Sequence, residues 1–566
     1  MVSLWKKGLQ HPVFQAGLAG VLLAVAFPGP EVAGLAWVAP GLLMLAALGC
    51  NPSGAFWTGY WGGFVFWAIS LHWLLFIPVT FWPVLGWLAL CAYLAIYQGL
   101  WTWLGWRLLP GAEPTPGRMG GAPWERGLAR LLMLPRLTRA AWTLAAAMGW
   151  VALELLRGRL LTGFPWNQLG VSQYTMLPLV QLAKITGVAG LSFLMVWTSL
   201  ALVIAAAGMA RFPSRRGWLT GELLAPAVVV IGVWVWGARE CTRQMGVPAA
   251  PVVRLALLQP SVPQTLIWDS REDETRLRRL LELSREALGA RPDLLVWPEA
   301  AAPGFLRYDS NLWAEVRGLA QASNVWMVIG SDDAEPGEDG RINYYNAAFL
   351  ISPEGMIKER YAKRHLVMFG EYAPLARWLP FLKRLLPVGD GFTPGREAVH
   401  FEWPLTAAGG ARVRAAMLIC FEDVMAGLVR RSVHQDTDLM LNLTNDGWFR
   451  ESAAQYQHAA NAVFRAVETG RPLVRCTNNG RTCWVDALGR IREMQSFQRG
   501  DRPSIYAPGW HLVTVPLPPQ SSTGLSLYHH YGDWWGWLCV GATAGLLAWS
   551  FRQRQLRQRA QSLHHN

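Results

Sequence analysis

Three short stretches in the second half of the chain each offer a different reactive group. They are Val296-Trp297-Pro298-Glu299, Tyr361-Ala362-Lys363-Arg364-His365-Leu366-Val367 and Leu418-Ile419-Cys420-Phe421-Glu422-Asp423. The groups are a carboxylate, an ammonium and a thiol, 64 and then 57 residues apart by subtraction of their numbers. Acyl transfer through a covalent intermediate needs a nucleophile, a base and a partner for the developing oxyanion. Cys420 directly follows an apolar strand at 415–419, where a side chain can emerge from a sheet. Glu299 follows a short strand and a rigid Pro298; a partly desolvated carboxylate can take a thiol proton and return it to a leaving group. Lys363 would be a fixed cation that steadies an oxyanion and favours the thiolate. Singly, these are a buried cysteine, a surface carboxylate and a solvated lysine. Together they point to thiol-based acyl transfer.

The elements that must position these groups alternate. Strands are expected at 253–259, 294–297, 325–330, 414–419, 438–442 and 473–477, with helices at 271–288, 311–322 and 453–468. Pro353-Glu354-Gly355 and Ala487-Leu488-Gly489 read as hairpin turns. Strands alternating with amphipathic helices indicate an α/β domain, here 251–517, long enough to bury a full core.

The remainder has another texture. The 566 residues are 52% hydrophobic, include 32 Trp and are only 16% charged, against roughly 25% charged in soluble domains. Mean hydropathy is +0.20. Spanning helices need about 20 mostly apolar residues, and candidates lie at 12–27, 33–48, 54–77, 82–108, 139–156, 187–210, 219–237 and 534–551. This divides the chain into a multi-pass helical membrane domain at 1–240, the α/β domain, and a C-terminal helix with a basic tail at 530–566. Lys6 and Lys7, Arg118 to Arg139, Arg211 to Arg216 and Arg552 to Arg559 fall in gaps that share one side if the N-terminus is cytoplasmic. The α/β domain would then lie on the outer face. The net charge of +13 sits largely in those short loops, which argues against nucleic acid as a partner. His365 and His458 lack a clustered ligand set, so neither a metal nor another cofactor is expected. Cys476 and Cys483 are read as free thiols in preference to a disulfide.

The Glu–Lys–Cys order resembles the nitrilase superfamily, whose fold is a four-layer α-β-β-α sandwich. A narrower resemblance rests on Gln259-Pro260-Ser261-Val262-Pro263-Gln264, Trp297-Pro298-Glu299, His365-Leu366-Val367-Met368-Phe369-Gly370-Glu371-Tyr372, Asn442-Leu443-Thr444-Asn445-Asp446-Gly447-Trp448-Phe449 and Gly163-Phe164-Pro165-Trp166-Asn167. These are similar to the apolipoprotein N-acyltransferase family along essentially the whole chain. Met368 stands where that family usually has Pro, and Phe421 where Tyr is common. The resemblance implies a bacterial inner-membrane enzyme, which makes the outer face the periplasmic side. It would take an acyl chain from a phospholipid, typically phosphatidylethanolamine, onto Cys420. It would then pass the chain to the α-amino group of a diacylglyceryl-modified apolipoprotein, the last step of lipoprotein maturation. It implies Glu299 as base and acid, Lys363 at the oxyanion, and Glu371, Glu422 and Trp268 as supporting residues.

Between Lys363 and the Cys420 strand, 374–395 mixes Trp378, Leu379, Phe381 and Leu382 with Arg377, Lys383 and Arg384. Apolar groups interleaved with cations suit the lipid interface, so Trp378, Phe381 and Leu382 are expected to form a lipid-contacting arm. A membrane-tethered amidase of small amides would not need so many spans, and a non-catalytic lipid scaffold would not need Glu299, Lys363 and Cys420 together.

Overall fold

The computed structural model describes residues 11–79, 81–110, 122–212, 217–243, 251–338, 340–374, 391–405, 411–492, 497–499, 502–518 and 525–564. The chain forms two compact units. One comprises Met1–His72, Val84–Cys241 and Tyr531–Asn566; the other comprises Trp73–Pro83 and Thr242–His530.

The first unit is helical: α1 (Pro12–Val25), α2 (Ala39–Leu48), α3 (Pro52–Ser70), α4 (Trp82–Leu108), α5 (Pro123–Met133), α6 (Arg136–Arg157), α7 (Val188–Arg211), α8 (Leu224–Arg243) and, after the second unit, a C-terminal helix Trp534–His564. Among the described residues α4, α7 and α8 are long and apolar enough to cross a membrane. Small residues let the helices approach closely, as in membrane bundles generally. A Cβ on Gly20 of α1 would lie 2.2 Å from the Gly62 carbonyl of α3. Arg139, read from the sequence as a loop charge, is buried in α6 and held by Glu222 (Nη2–Oε1 2.5 Å).

The expected span at 54–77 is cut short. Its helix stops at Ser70, and residues His72–Phe76 form a 3-10 turn. Trp73 belongs to the second unit: its indole N–H donates to Gln457 Oε1 (3.1 Å) and its ring meets Phe449 at 4.5 Å. The hydrogen bond answers the polar handle on a large buried ring, which is why a tryptophan rather than a phenylalanine suits this position.

The second unit holds β1 (Val252–Gln259), β2 (Leu294–Val296), β3 (Trp326–Pro336), β4 (Ile342–Ile351), β5 (Ile357–Ala362), β6 (His400–Pro404), β7 (Arg412–Ile419), β8 (Leu439–Thr444), β9 (Leu473–Thr477), β10 (Cys483–Val485), β11 (Ile491–Arg492), β12 (Phe497–Arg499), β13 (Arg502–Ser504) and β14 (Gly509–Pro516). One sheet runs β14-β1-β2-β3-β4-β5 and the other β11-β10-β9-β8-β7-β6. In each, a parallel centre (β1-β2-β3; β7-β8-β9) is flanked by antiparallel strands.

The period-2 alternation of strand side chains sorts the residues into layers. Leu255, Leu257, Val328, Met417, Ile419, Leu441 and Val474 pack together between the sheets. Ala256, Leu258, Met327 and Phe349 face outward onto α9 (Asp273–Leu288) and α10 (Ser310–Ser323) through Leu280, Leu281, Leu312 and Val316. Helix α11 (Ala454–Thr469) covers the second sheet beside β9 and β10. The layers are therefore α-β-β-α. Asp309 starts α10 by accepting from the Asn311 and Leu312 amides (both 3.0 Å), and Asn324 ends it in the left-handed conformation. Strand β9 also settles the cysteines. Cys483 is in register with Arg475, while Cys476 projects from the opposite face into the core between the sheets, so both are free thiols.

Candidate active site

Glu299 leaves the carboxyl end of β2, the edge of a parallel sheet where ligands commonly bind. Trp297 is fully buried, and its indole donates to Ser284 Oγ (2.9 Å), which anchors the turn. Gly330 of β3 is required alongside: a Cβ there would sit 2.0 Å from the Pro298 carbonyl. Glu299 is buried. Its Oε1 accepts from Asn346 Nδ2 (2.7 Å) and Lys363 Nζ (3.2 Å), whereas Oε2, sealed from solvent, has no hydrogen-bond partner.

Lys363 follows β5 and is 1% exposed. Its amide donates to the Asn346 carbonyl (2.9 Å) and its own carbonyl accepts from Gly395 (2.8 Å), so the backbone is fixed on both sides. The ammonium also donates to Glu371 Oε1 (2.8 Å). Glu371 in turn accepts from Asn346 Nδ2 (3.2 Å) and, through Oε2, from the Val367 amide (2.8 Å). Burial alone would lower the lysine pKa, but Glu299 and Glu371 outweigh it and hold the group charged, well above the usual range. Asp332 on β3 lies in the same field. Burial, then the charges of Glu299 and Glu371, push its carboxyl up to about 7.

Cys420 ends β7 and opens the 3-10 turn Cys420–Val424 with φ +53°. A non-glycine residue there is strained by about 1–2 kcal/mol, so the turn must be held by its surroundings. Glu422 does this. It is fully buried; Oε2 accepts from the Ile419 amide and the Tyr361 hydroxyl (both 2.7 Å), and Oε1 from the Arg364 (2.7 Å) and His365 (3.1 Å) amides. One carboxylate thus ties the cysteine turn to the segment carrying Lys363. Burial, then the nearby Glu299 charge, drive the Cys420 thiol well above its ordinary pKa, and Lys363 only partly offsets this. The resting thiol keeps its proton.

On the outer face of the second sheet a charged cluster underlies the same turn. Asn442 Nδ2 donates to the Cys420 carbonyl (3.2 Å) and to Asp423 Oδ2 (2.6 Å). His458 stands between Asp423 Oδ1 (2.8 Å, Nε2) and Asp446 Oδ1 (2.7 Å, Nδ1), and Arg475 pairs with both aspartates. Burial pulls the imidazole pKa down, but the aspartates more than reverse it, to about 9. Burial raises the Asp423 carboxyl, yet Arg475 and His458 bring it below its ordinary value.

Of the residues expected from sequence, Glu299, Lys363 and Glu371 share direct hydrogen bonds, Cys420 lies within their electrostatic reach, and Glu422 braces the turn. Trp268 is exposed and packs edge-on against Trp448 (5.1 Å). Trp378, Phe381 and Leu382 lie outside the described residues. Asn346, Asp332 and the Asp423–Asp446–His458–Arg475 cluster went unread. A polar residue inside the buried end of β4 was a usable signal for Asn346. His458, read as a lone histidine, finds both of its partners only through the fold.

The carbon-nitrogen hydrolase family matches residues 254–501, and the apolipoprotein N-acyltransferase N-terminal domain matches residues 19–201. An apolipoprotein N-acyltransferase of Geobacter metallireducens is 35% identical over 96% of this chain and 95% of that protein. Those of Azotobacter vinelandii and Vibrio vulnificus are 32% and 30% identical, each over 96% of this chain and over 95% and 98% of theirs. Among solved structures, an amidase from Nesterenkonia sp. is similar at 18% identity, covering 48% of this chain and 92% of that chain with a TM-score of 0.34. With a nitrilase-like sandwich, a bundle of apolar helices and relatives matched nearly end to end, the chain belongs to the apolipoprotein N-acyltransferase family, membrane-embedded acyltransferases.

Proposed function

We propose that the protein transfers a fatty acyl chain from a phospholipid, phosphatidylethanolamine being the favoured donor, to the α-amino group of a diacylglyceryl-modified apolipoprotein. Glu299, Lys363 and Cys420 are its catalytic residues. The observation that carries the reading is the Lys363 ammonium gripped by Glu299 and Glu371, with Glu299 Oε2 left without a hydrogen-bond partner and Glu299 within electrostatic reach of the Cys420 thiol.

In the first half-reaction Glu299 takes the Cys420 proton as the sulfur attacks the ester carbonyl. The carbonyl oxygen becomes an oxyanion that the Lys363 ammonium stabilises. Collapse breaks the ester C–O bond, and the proton on Glu299 passes to the departing alkoxide, releasing lysophospholipid and leaving a thioester. In the second half the neutral amine attacks the thioester carbonyl and Glu299 accepts the excess proton. Collapse expels the thiolate, which recovers that proton, and an amide is formed. Asn346, Glu371 and Glu422 are positioning residues: they hold the carboxylate, the ammonium and the strained cysteine turn.

The Lys and Arg distribution supports a cytoplasmic N-terminus and a periplasmic α/β domain on an inner-membrane protein, with the third of the spans read from the sequence ending at Ser70. The arm with Trp378, Phe381 and Leu382 would admit the bulky lipids. Replacing those residues with Ser should impair bilayer-embedded substrate far more than alkylation of Cys420 by a soluble reagent.

Intact-mass analysis of protein purified from membranes tests the reaction. A palmitoyl-sized adduct on Cys420, lost in Cys420→Ala and discharged by a diacylglyceryl-peptide, is the expected result. Discharge by water alone, at an unchanged rate with or without the peptide, would favour the amidase reading and defeat this one.

A further inference from the structure

Strand β8 ends at Thr444, one residue beyond Leu443, and Leu443 is in parallel register with Ile419 of β7. Thr444 therefore stands beside Cys420 at the carboxyl end of the second sheet. Its backbone is held between β7 and β9: it is in register with Thr477, and its carbonyl accepts from the Asn478 amide (2.9 Å). A β-branched side chain has little rotamer freedom, so the hydroxyl is confined as well. Thr444 is fully buried, and its Oγ1, sealed from solvent, has no hydrogen-bond partner among the described residues. Polar neighbours at the same level are satisfied. Thr477 Oγ1 meets Gln259 Oε1 (3.3 Å) and Thr482 Oγ1 (2.8 Å), and Asn445 Nδ2 donates to Gln264 Oε1 (2.8 Å).

A buried hydroxyl without a partner is a standing cost to the fold and calls for a physical reason. The sulfur beside it supplies one. Burial, then Glu299, raise the Cys420 thiol, and Asp446 adds to them; Lys363 and, after it, Thr444 act in the opposite direction. Arg475 on β9 lies in the field of the same thiol. The resting sulfur is neutral and a weak acceptor. Once it loses its proton it is an anion, and a hydrogen bond to an anion is about twice as strong as one between neutral groups. An interaction missing at rest and made only as charge develops acts wholly on the barrier. Lys363 is already committed to Glu299 and Glu371, which leaves its remaining donor capacity for the carbonyl oxygen.

We propose that the Thr444 hydroxyl is the hydrogen-bond donor to the Cys420 thiolate in both halves of the reaction. The inference rests on the reading of Cys420 as the nucleophile. In the first half Glu299 takes the thiol proton, a sulfur electron pair forms the C–S bond, and Thr444 donates while the charge is on sulfur. In the second half the C–S bond breaks and its pair returns to sulfur. Thr444 then holds the thiolate until Glu299 gives the proton back. The hydroxyl keeps its own proton throughout.

The test uses full-length protein in detergent and iodoacetamide, with modification of Cys420 followed by peptide mass. Below the thiol pKa the alkylation rate tracks the thiolate fraction, so it climbs about tenfold per pH unit. Thr444→Val, nearly isosteric, should displace that line to higher pH, making alkylation about ten- to a hundredfold slower at any one pH. Its thermal stability should be equal or higher, because no bond of the resting state is lost. Thr444→Ser, which keeps the hydroxyl, should recover most of the rate. Equal rates in wild type and Thr444→Val overturn the proposal. So does a Thr444→Ser protein as slow as Thr444→Val, which would make the methyl group the part that matters. A Thr444→Val protein that unfolds or melts well below wild type also overturns it, since the hydroxyl would then be bonded at rest. Single-turnover thioester formation from phosphatidylethanolamine separates this inference from the reaction itself. If wild type forms no thioester while alkylation still depends on the hydroxyl, the donor stands and the lipid reaction falls. Thioester formed at equal rates by wild type and Thr444→Val removes the donor and leaves the reaction.

Discussion

Removing the charge from His458 should make the catalytic unit insensitive to mild alkali, and the size of the effect follows from the cluster beneath Cys420. The imidazole pKa rises from 6.5 to about 9 because two aspartates accept from its ring nitrogens. A group whose folded-state pKa is raised contributes stability that is full below the unfolded value and is lost as pH climbs through the folded one. At 1.36 kcal/mol per unit this is about 3 kcal/mol, present at pH 6.5 and gone above pH 9. For a domain of this size that corresponds to a fall in Tm of roughly 6–12 °C. The assay is thermal exposure of Cys476, fully buried between the sheets, to a thiol reagent in full-length protein, mapped by peptide mass. Wild type should lose the stated margin between pH 6.5 and pH 9. His458→Gln should start lower by about the same amount and stay flat. Parallel declines in the two proteins, or equal Tm values at pH 6.5, would refute the reasoning. The Asp423 shift has the opposite sign. Its stabilisation holds above its ordinary range and disappears in acid, so wild type should also weaken as pH falls through the lowered Asp423 pKa.

Glu299→Gln should lose thioester formation by about 10²–10⁴-fold in single-turnover assays, since an amide cannot take the thiol proton. Lys363→Arg should not rescue Lys363→Ala, because a planar fork does not fit between Glu299 and Glu371 as a compact ammonium does; equal rates for Arg and Lys proteins would show otherwise. Glu422→Gln presents an amide N–H to donors that now meet an acceptor. It should destabilise the unit by about 1–3 kcal/mol and slow alkylation of Cys420, measured by unfolding and by labelling rate. Gly330→Ala forces a Cβ against the Pro298 carbonyl and should cut activity more than it cuts expression, read as turnover per folded enzyme. A periplasm-dependent reporter fused after Gly237 should be active and one fused near Pro123 inactive; the reverse would put Cys420 in the cytoplasm.

Local pattern carried much of this protein. Apolar runs of strand length, amphipathic helices and Pro-Glu-Gly or Ala-Leu-Gly turns are short-range signals, and they located β1, β7, β9, α9, α10 and α11 within a few residues. Glu299, Lys363 and Cys420 were legible because each follows an element whose end is marked in sequence. What periodicity could not reach was convergence. Asn346 serves two carboxylates from the adjacent strand, and Glu422 binds amides more than fifty positions away. His458 becomes a doubly bonded cation only when α11 lies against β9 and the turns that carry Asp423 and Asp446. Trp73 leaves an apolar run to join the other unit because its indole finds Gln457, some 384 residues on. Cys476 and Cys483, close in sequence, are held on opposite faces by the pleat of adjacent strands. Hydrophobic period is a property of neighbours along the chain and survives in the sequence. Pairing of buried polar groups is a property of neighbours in space, and only the packed sheets decide which donor each acceptor meets.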